Sequence, residues 1–207
     1  MKSRSLSTKP AAADRAKLTR QTIVQAALEL LNEEGLDRLS TRRLAARLGV
    51  QSATLYWHVK NKQELLDMMA AAILFRPPPN FVMQGSWWVW MGDLARQIRR
   101  NLLEYRDGAR VVAGTRPTDA LGPTGIEELF ARMHTQGLDR TQAWHVLASL
   151  SRFALGWAID EQAARSSEHV TGSAINFDVE FEFGLQALID GLRRARRPRR
   201  TPKGFAN

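Results

Sequence analysis

The chain of 207 residues contains no cysteine and only four histidines, His58, His134, His145 and His169. Without thiols it can form no disulfide, no thiolate nucleophile and no zinc site of the cysteine type. The histidines are scattered and lack a close metal-ligand spacing. The sequence therefore predicts neither a metal site nor a cofactor.

Long apolar runs are also absent. No stretch approaches the roughly 18 uninterrupted apolar residues that a membrane-spanning helix needs. The N-terminal segment is charged and has no apolar core like that of a signal peptide. We expect a soluble, cytoplasmic protein that does not associate with a membrane.

The familiar motifs of several enzyme classes are missing as well. The sequence has no G-x-S-x-G elbow, no glycine-rich phosphate loop and no H-E-x-x-H pair. A grouping of Glu128, His134 and His145 in space would be the remaining route to an active site. We expect no enzymatic activity.

What the chain does have is positive charge, unevenly distributed around a formal net charge of +9. Residues 1–20 carry six Lys/Arg and one Asp, and residues 193–207 carry seven Lys/Arg and no acid. Residues 63–192 carry eleven Lys/Arg and sixteen acids. An acidic body with basic ends indicates one DNA-facing region rather than a uniform polyanion-binding surface.

Helical spacing of apolar residues dominates the chain, and no run shows the sustained alternation of a strand. The pattern predicts an all-α fold. The expected N-caps are Thr19, Ser40 and Asn61, the last in a capping box with Glu64. Caps and breakers place helices at about residues 19–34, 40–48, 51–58, 61–76, 86–105, 123–135, 139–165 and 178–196.

Three consecutive prolines at residues 77–79 end the fourth helix and divide the chain, because no helix or strand crosses them. A disordered tail is expected near the C-terminal end, because residues 193–203 carry seven basic residues and two prolines. The resulting division is a basic flexible arm at 1–17, a helix-turn-helix domain at 18–64, a connecting helix at 65–76, a larger helical domain at 80–196 and a tail at 197–207.

Residues 41–62, TRRLAARLGVQSATLYWHVKNK, have the pattern of a helix-turn-helix. A short helix in the major groove needs an apolar inner face and polar or aromatic residues facing outward. The inner face is expected to contain Leu44, Leu48, Val50, Leu55 and Val59. An ordinary three-helix cluster with a solvated polar face is the alternative.

Two strings, AALELLNEEGLDRLSTRRLAARLGV and TLYWHVKNKQELLD, resemble the TetR family of transcriptional regulators. YRDGARVVAGTRP resembles the tetracycline-repressor branch of that family, as does SRFALGWAIDEQ. The resemblance covers residues 18–195. It implies a three-helix DNA-binding domain, a C-terminal ligand-binding and dimerisation domain, and about nine helices in total.

The resemblance also implies which residues meet double-stranded operator DNA. Arg42 is the expected base-reading residue, since a guanidinium pairs bidentately with guanine. Phosphate contacts are expected from Thr54, Tyr56, His58 and Lys62. The likeness weakens at residues 51–53, so an altered operator preference is expected. The complete set is Thr41, Arg42, Gln51, Ser52, Ala53, Thr54, Tyr56, Trp57, His58 and Lys62.

The ligand positions depart from the branch's pattern. Val112 stands where the branch has its metal-binding histidine, Arg152 replaces a second histidine, and Asp160 replaces a longer acid. Because valine offers no metal ligand, the sequence predicts poor binding of magnesium tetracycline and a more hydrophobic effector. The expected ligand-binding residues are Leu94, Ile98, Val112, Thr115, Glu128, Arg152, Trp157 and Asp160.

Two alternatives to an open effector pocket remain. In the first, the pocket is collapsed and Arg152 and Asp160 form ordinary ion pairs. In the second, the protein is a dimeric regulator with a vestigial pocket and no effector. Tryptophans at helical spacing suggest either an aromatic cage or core packing. These residues are Trp87, Trp88, Trp90, Trp144 and Trp157.

The last two helices carry apolar stripes that two chains can pack as a four-helix bundle. A homodimer of this kind predicts a palindromic operator. The implied function is a repressor that a small-molecule effector releases from DNA. The stripes are Val146, Leu150, Phe153 and Trp157 on one helix, and Phe181, Leu185, Leu188 and Leu192 on the other.

Overall fold

The structure, a computed structural model, describes residues 18–74, 83–115, 122–166 and 176–195. Within these ranges it contains nine α-helices, one 3-10 turn and no strand, which confirms the predicted all-α fold. The predicted basic arm, the basic tail and the three prolines lie outside the described residues. The helices are α1 (Arg20–Glu34), α2 (Thr41–Arg47), α3 (Ser52–Tyr56), α4 (Lys62–Leu74), α5 (Trp87–Leu103), α6 (Gly108–Ala113), α7 (Gly122–Thr135), α8 (Arg140–Ser166) and α9 (Phe177–Ala195), with the 3-10 turn at Leu36–Arg38.

The first two helices begin at the predicted N-caps. The Thr19 hydroxyl accepts the Thr22 N–H at 3.1 Å, and the Ser40 hydroxyl accepts the Arg43 N–H at 3.3 Å. Each contact satisfies a backbone donor that the helix itself leaves unpaired. Gly35, with a φ of 81°, ends α1 as expected.

The capping box predicted at the start of α4 is only half present. Asn61 Oδ1 accepts the Glu64 N–H at 2.8 Å, as predicted. The Glu64 carboxylate, however, accepts the N–H of Lys60 rather than that of Asn61, at 2.6 Å. Glu64 therefore fixes the turn that precedes α4 one residue further back than the motif requires.

Two helix boundaries differ from the prediction, and one helix is new. α3 is five residues long rather than eight, and α5 ends at Leu103. The sequence pattern did not predict α6, which has only six residues and so shows no helical periodicity. It starts after Asp107, whose left-handed φ of 57° separates α6 from the residues that follow α5. Gly108 is required there, since a Cβ would lie 2.4 Å from the Leu102 carbonyl oxygen.

In the C-terminal part, α5 packs mainly along α8, and α9 covers both helices. The stripes predicted to join two chains are instead largely used within one chain. Val146, Leu150, Phe181 and Leu185 are buried in its core. The exposed apolar side chains of α9 belong to its opposite face, where Phe183 is 79% exposed, followed by Val179 at 63%.

The tryptophans at the start of α5 are mostly core residues rather than a cage. Trp87 and Trp90 are both 1% exposed, whereas Trp88 lies against the guanidinium of Arg193, 4.3 Å from its ring centroid. Trp157 packs edge-on against Phe181 of α9, with ring centroids 6.4 Å apart. Throughout the described ranges, no helix is both long enough and apolar enough to span a bilayer.

Candidate nucleic-acid interface and ligand site

The hairpin of α2 and α3 has the predicted apolar inner face. Leu44, Leu55 and Val59 are fully buried, while Leu48 and Val50 are half-buried against the same core. Packing on the N-terminal core fixes the angle of the five-residue helix α3. It thereby determines which of its side chains point outward.

The outward side of this hairpin carries the predicted DNA-contacting residues. Trp57 is 88% exposed and Tyr56 is 50% exposed. The hydroxyls of Tyr56 and Thr41 lie 3.3 Å apart, a contact that joins the end of α3 to the start of α2. Thr41 and His58 are half-buried, and the others are exposed, namely Arg42, Gln51, Ser52, Ala53, Thr54 and Lys62.

The three arginines of α2 have different roles in the structure. Arg43 forms an ion pair with Glu34, and Arg47 pairs with Glu33 at 2.6 Å and with Glu29. Both therefore hold α2 against α1. Arg42 is exposed and has no ion-pair partner among the described residues, so its guanidinium is available for a base.

Three of the predicted ligand-binding residues are apolar and are at least half-buried. Val112 on α6 and Ile98 on α5 are buried, and Leu94, one turn before Ile98, is half-buried. The Thr115 hydroxyl donates a hydrogen bond to the Val112 carbonyl oxygen at 2.9 Å. The hydroxyl of this predicted ligand-binding residue is therefore already engaged by the backbone of α6.

The three predicted charged ligand residues, Glu128, Arg152 and Asp160, have exposed side chains in the single chain. None of them forms an ion pair with another described residue, so the ion pairs of Arg152 and Asp160 that belong to the collapsed-pocket alternative are absent there. In the ranges that the structure covers, no three His, Cys, Asp or Glu side chains converge as a metal site.

The buried charges of this domain belong to residues that sequence reasoning missed. Arg99 of α5 donates to Glu161 of α8 at 2.7 Å and to Asp178 of α9 at 2.7 Å. Its guanidinium carbon also lies 4.7 Å from the centroid of the Phe181 ring. No sequence signal marked this cluster, because Arg99 lies 62 residues before Glu161 and 79 residues before Asp178.

A second missed set of contacts joins α6 to the DNA-binding domain. Asp107 accepts a hydrogen bond from the Leu36 N–H at 2.9 Å. Arg110 pairs with Asp37 at 2.9 Å, and this hydrogen bond lowers the pKa of the Asp37 carboxyl below its ordinary value. Beyond the other end of α6, Gln63 of α4 donates to the Gly114 carbonyl oxygen at 3.3 Å.

Comparison with known proteins finds similarity over most of the chain. Residues 23–69 match the family described as "Bacterial regulatory proteins, tetR family", and residues 82–174 match "Tetracyclin repressor-like, C-terminal domain". The class A tetracycline repressor protein from transposon 1721 of Escherichia coli is 37% identical over 204 residues, covering 87% of this chain and 93% of its own. The chain belongs to the TetR family.

Solved structures of TetR-family proteins share its fold. TetR from Acinetobacter baumannii AYE, as a point variant in complex with minocycline, superposes with a TM-score of 0.78 at 38% identity, covering 88% of this chain and 100% of that one. Apo ActR from Streptomyces coelicolor gives a TM-score of 0.76 at 31% identity, with 88% and 98% of the two chains covered.

Membership of the TetR family establishes the coarse function. The protein is a DNA-binding transcriptional repressor and not an enzyme, which confirms both predictions. Its α2–α3 hairpin is the family's helix-turn-helix, and the larger domain is the part in which TetR-family proteins bind small-molecule effectors.

Proposed function

We propose that this protein is a homodimeric repressor that leaves a palindromic operator when a hydrophobic effector other than magnesium tetracycline binds next to α6. The observation that carries the proposal is the position of α6. This short helix bears Val112 on its buried side, and hydrogen bonds join both of its ends to the DNA-binding domain.

An effector that moves α6 would act on DNA binding through these contacts. Asp107 and Arg110 hold the turn between α1 and α2, and the Gly114 carbonyl oxygen holds Gln63 near the start of α4. The effector must bind the arrangement that does not fit DNA more tightly than the one that does. Displacement of α4 would then change the spacing of the two reading heads.

The chemistry around α6 favours an apolar effector. Leu94, Ile98 and Val112 offer no metal ligand and no hydrogen bond from a side chain, and the Thr115 hydroxyl already donates to the backbone. A magnesium chelate would exchange its ordered water for aliphatic carbon, at a cost in free energy. An apolar molecule gains from the same walls.

The homodimer is supported by the exposed face of α9. Phe183 and Val179 are large apolar residues that the single chain leaves open to water. On α8, a Cβ added at Gly156 would meet no atom within 4 Å, so a second chain can approach closely there. Two copies of α8 and α9 would form a four-helix bundle, with a two-fold axis that requires a palindromic operator.

A dimeric regulator with a vestigial pocket and no effector is the second candidate. Its supporting observation is that the predicted polar ligand residues Glu128, Arg152 and Asp160 face outward. In that case no small molecule would change operator affinity.

Fluorescence anisotropy on an operator duplex, selected from a random-sequence pool, distinguishes these functions. A panel of apolar compounds is titrated against the complex, with magnesium tetracycline included. Val112→Trp fills the proposed site, and Ala113→Trp on the exposed side of the same helix is the matched control. We expect an apolar compound to release the wild type and the control but not Val112→Trp.

Two other results would also distinguish the proposed functions. Release by magnesium tetracycline at low concentration would contradict the proposed effector class. No release by any compound, together with unchanged melting temperatures, would favour the vestigial pocket.

A further inference from the structure

The carboxylate of Glu64 connects α4, on which it lies, to the turn that follows α3 and to the start of α1. One oxygen accepts the backbone N–H of Lys60 at 2.6 Å, in the turn that follows α3. The other oxygen lies 3.1 Å from a terminal guanidinium nitrogen of Arg20, the first residue of α1. The start of α1 is therefore held beside the turn that carries Lys60 and leads to Lys62, the first residue of α4.

Arg20 is placed accurately even though its side chain is 66% exposed. The reciprocal hydrogen bonds between Thr19 and Thr22 fix the first turn of α1 and so the direction in which Arg20 leaves the helix. Only Nη2 contacts Glu64, and no other described residue takes the remaining N–H donors. A guanidinium that is held at one nitrogen and open at the others can accept a further anion.

The surroundings of this guanidinium favour a phosphate. Lys60 on the adjacent turn and Lys62 at the start of α4 are exposed, and neither forms an ion pair within the described ranges. The Glu64 side chain is only 25% exposed, and its charge is offset by the Lys60 N–H and by the start of α4. The local field therefore remains positive where the reading hairpin meets DNA.

We propose that Arg20 contacts a phosphate of the DNA backbone and that Glu64 is the residue that positions it. The contact would lie beside those expected from the α3–α4 turn and would add affinity without sequence preference. Arg20 lies outside the hairpin, so the spacing of residues 41–62 gave no indication of it.

The test measures the salt dependence of binding to a duplex of unselected sequence, by anisotropy over a range of KCl concentrations. Each phosphate contact contributes about 0.9 to the slope of log K against log salt concentration. We expect Arg20→Ala to reduce the slope by about 0.9 and to weaken binding several-fold at low salt, whereas Arg20→Lys keeps the slope. Arg132→Ala, which removes an exposed arginine of α7, is the matched control and should change neither.

Glu64→Gln tests the positioning role. The glutamine oxygen still accepts the Lys60 N–H, but the ion pair with Arg20 is lost. We expect weaker binding with an unchanged slope, and no further loss when Glu64→Gln is added to Arg20→Ala.

Two sets of results would overturn the proposal. If Arg20→Ala keeps the wild-type slope, or if Arg132→Ala lowers the slope by the same amount as Arg20→Ala, the proposed contact between Arg20 and a phosphate is wrong. If Glu64→Gln binds DNA more tightly, or if the losses of affinity in the two single variants add in the double variant, Glu64 does not position Arg20. Thermal melting of each variant identifies any loss that comes from unfolding.

Discussion

The carboxylate of Asp107 accepts a hydrogen bond from the backbone N–H of Leu36, 2.9 Å away and 71 residues earlier in the chain. This bond joins the start of α6 to the 3-10 turn between α1 and α2. The same carboxylate pairs with Arg110 at 3.0 Å, and Arg110 also reaches Asp37 in that turn. One side chain thus connects the C-terminal domain to the DNA-binding domain.

Replacing Asp107 by alanine should destabilise the fold. The change leaves the Leu36 N–H without an acceptor and places an alanine at a φ of 57°, so we expect a loss of about 1–3 kcal/mol in the free energy of unfolding. Asp107→Asn keeps an oxygen acceptor and tolerates the left-handed conformation, and should lose clearly less. Urea denaturation measures both, and equal losses would show that the hydrogen bond contributes nothing.

Arg42 and Arg47 should behave differently when each is replaced by alanine. Arg42→Ala is expected to weaken operator binding about 5- to 150-fold while leaving the melting temperature unchanged, because a bidentate base contact is worth about 1–3 kcal/mol. Arg47→Ala removes the pairs with Glu33 and Glu29 and should lower the melting temperature. A selected operator and an unselected duplex are compared by anisotropy. Equal weakening on both duplexes by Arg42→Ala would contradict base reading.

Phe183→Glu should prevent dimerisation. It places a charge on the most exposed apolar side chain of α9, where burial against a second chain would leave that charge without a partner. Sedimentation at micromolar concentration should give a monomer for Phe183→Glu and a dimer for Phe183→Leu. A dimer in both variants would exclude this face as the interface.

The contribution of Glu182 to stability should depend on pH. Arg96 donates to both carboxylate oxygens of Glu182, at 2.8 and 2.7 Å, and this hydrogen bonding lowers the pKa of Glu182 below its ordinary value of 4.5. A lowered pKa in the folded state gives stability that is complete above the ordinary value and lost as the pH falls through the folded-state value.

The measurement is the free energy of unfolding of wild type and Glu182→Gln from neutral pH down to about pH 3. The wild type should be the more stable at neutral pH, and the difference should shrink in acid. A difference that stays constant over this range would mean that the charge of Glu182 does not contribute.

Local pattern was sufficient for the reading hairpin. The caps at Thr19 and Ser40, the glycine at residue 35 and the inward spacing of Leu44 and Leu55 all act between residues close in sequence, so they could be predicted from it. The outward position of Trp57 followed directly from the same spacing.

The C-terminal domain was predicted less well, because its polar contacts are long-range. Glu128, Arg152 and Asp160 were expected at the site from their alignment with the family, yet in the single chain they are exposed. Arg99 and Glu161, which no pattern marked, are buried together instead. Periodicity identifies the face of a helix but not which neighbouring helix covers it.

The sequence by itself determined that the protein is helical, that residues 41–62 form its helix-turn-helix, and that residue 112 is a valine, which offers no metal ligand. Only the tertiary structure decided that the apolar stripes of α8 and α9 are largely buried within one chain, and that α6 hydrogen-bonds to the DNA-binding domain. The first set depends on spacing along a helix. The second depends on how helices far apart in sequence pack together, which spacing alone does not specify.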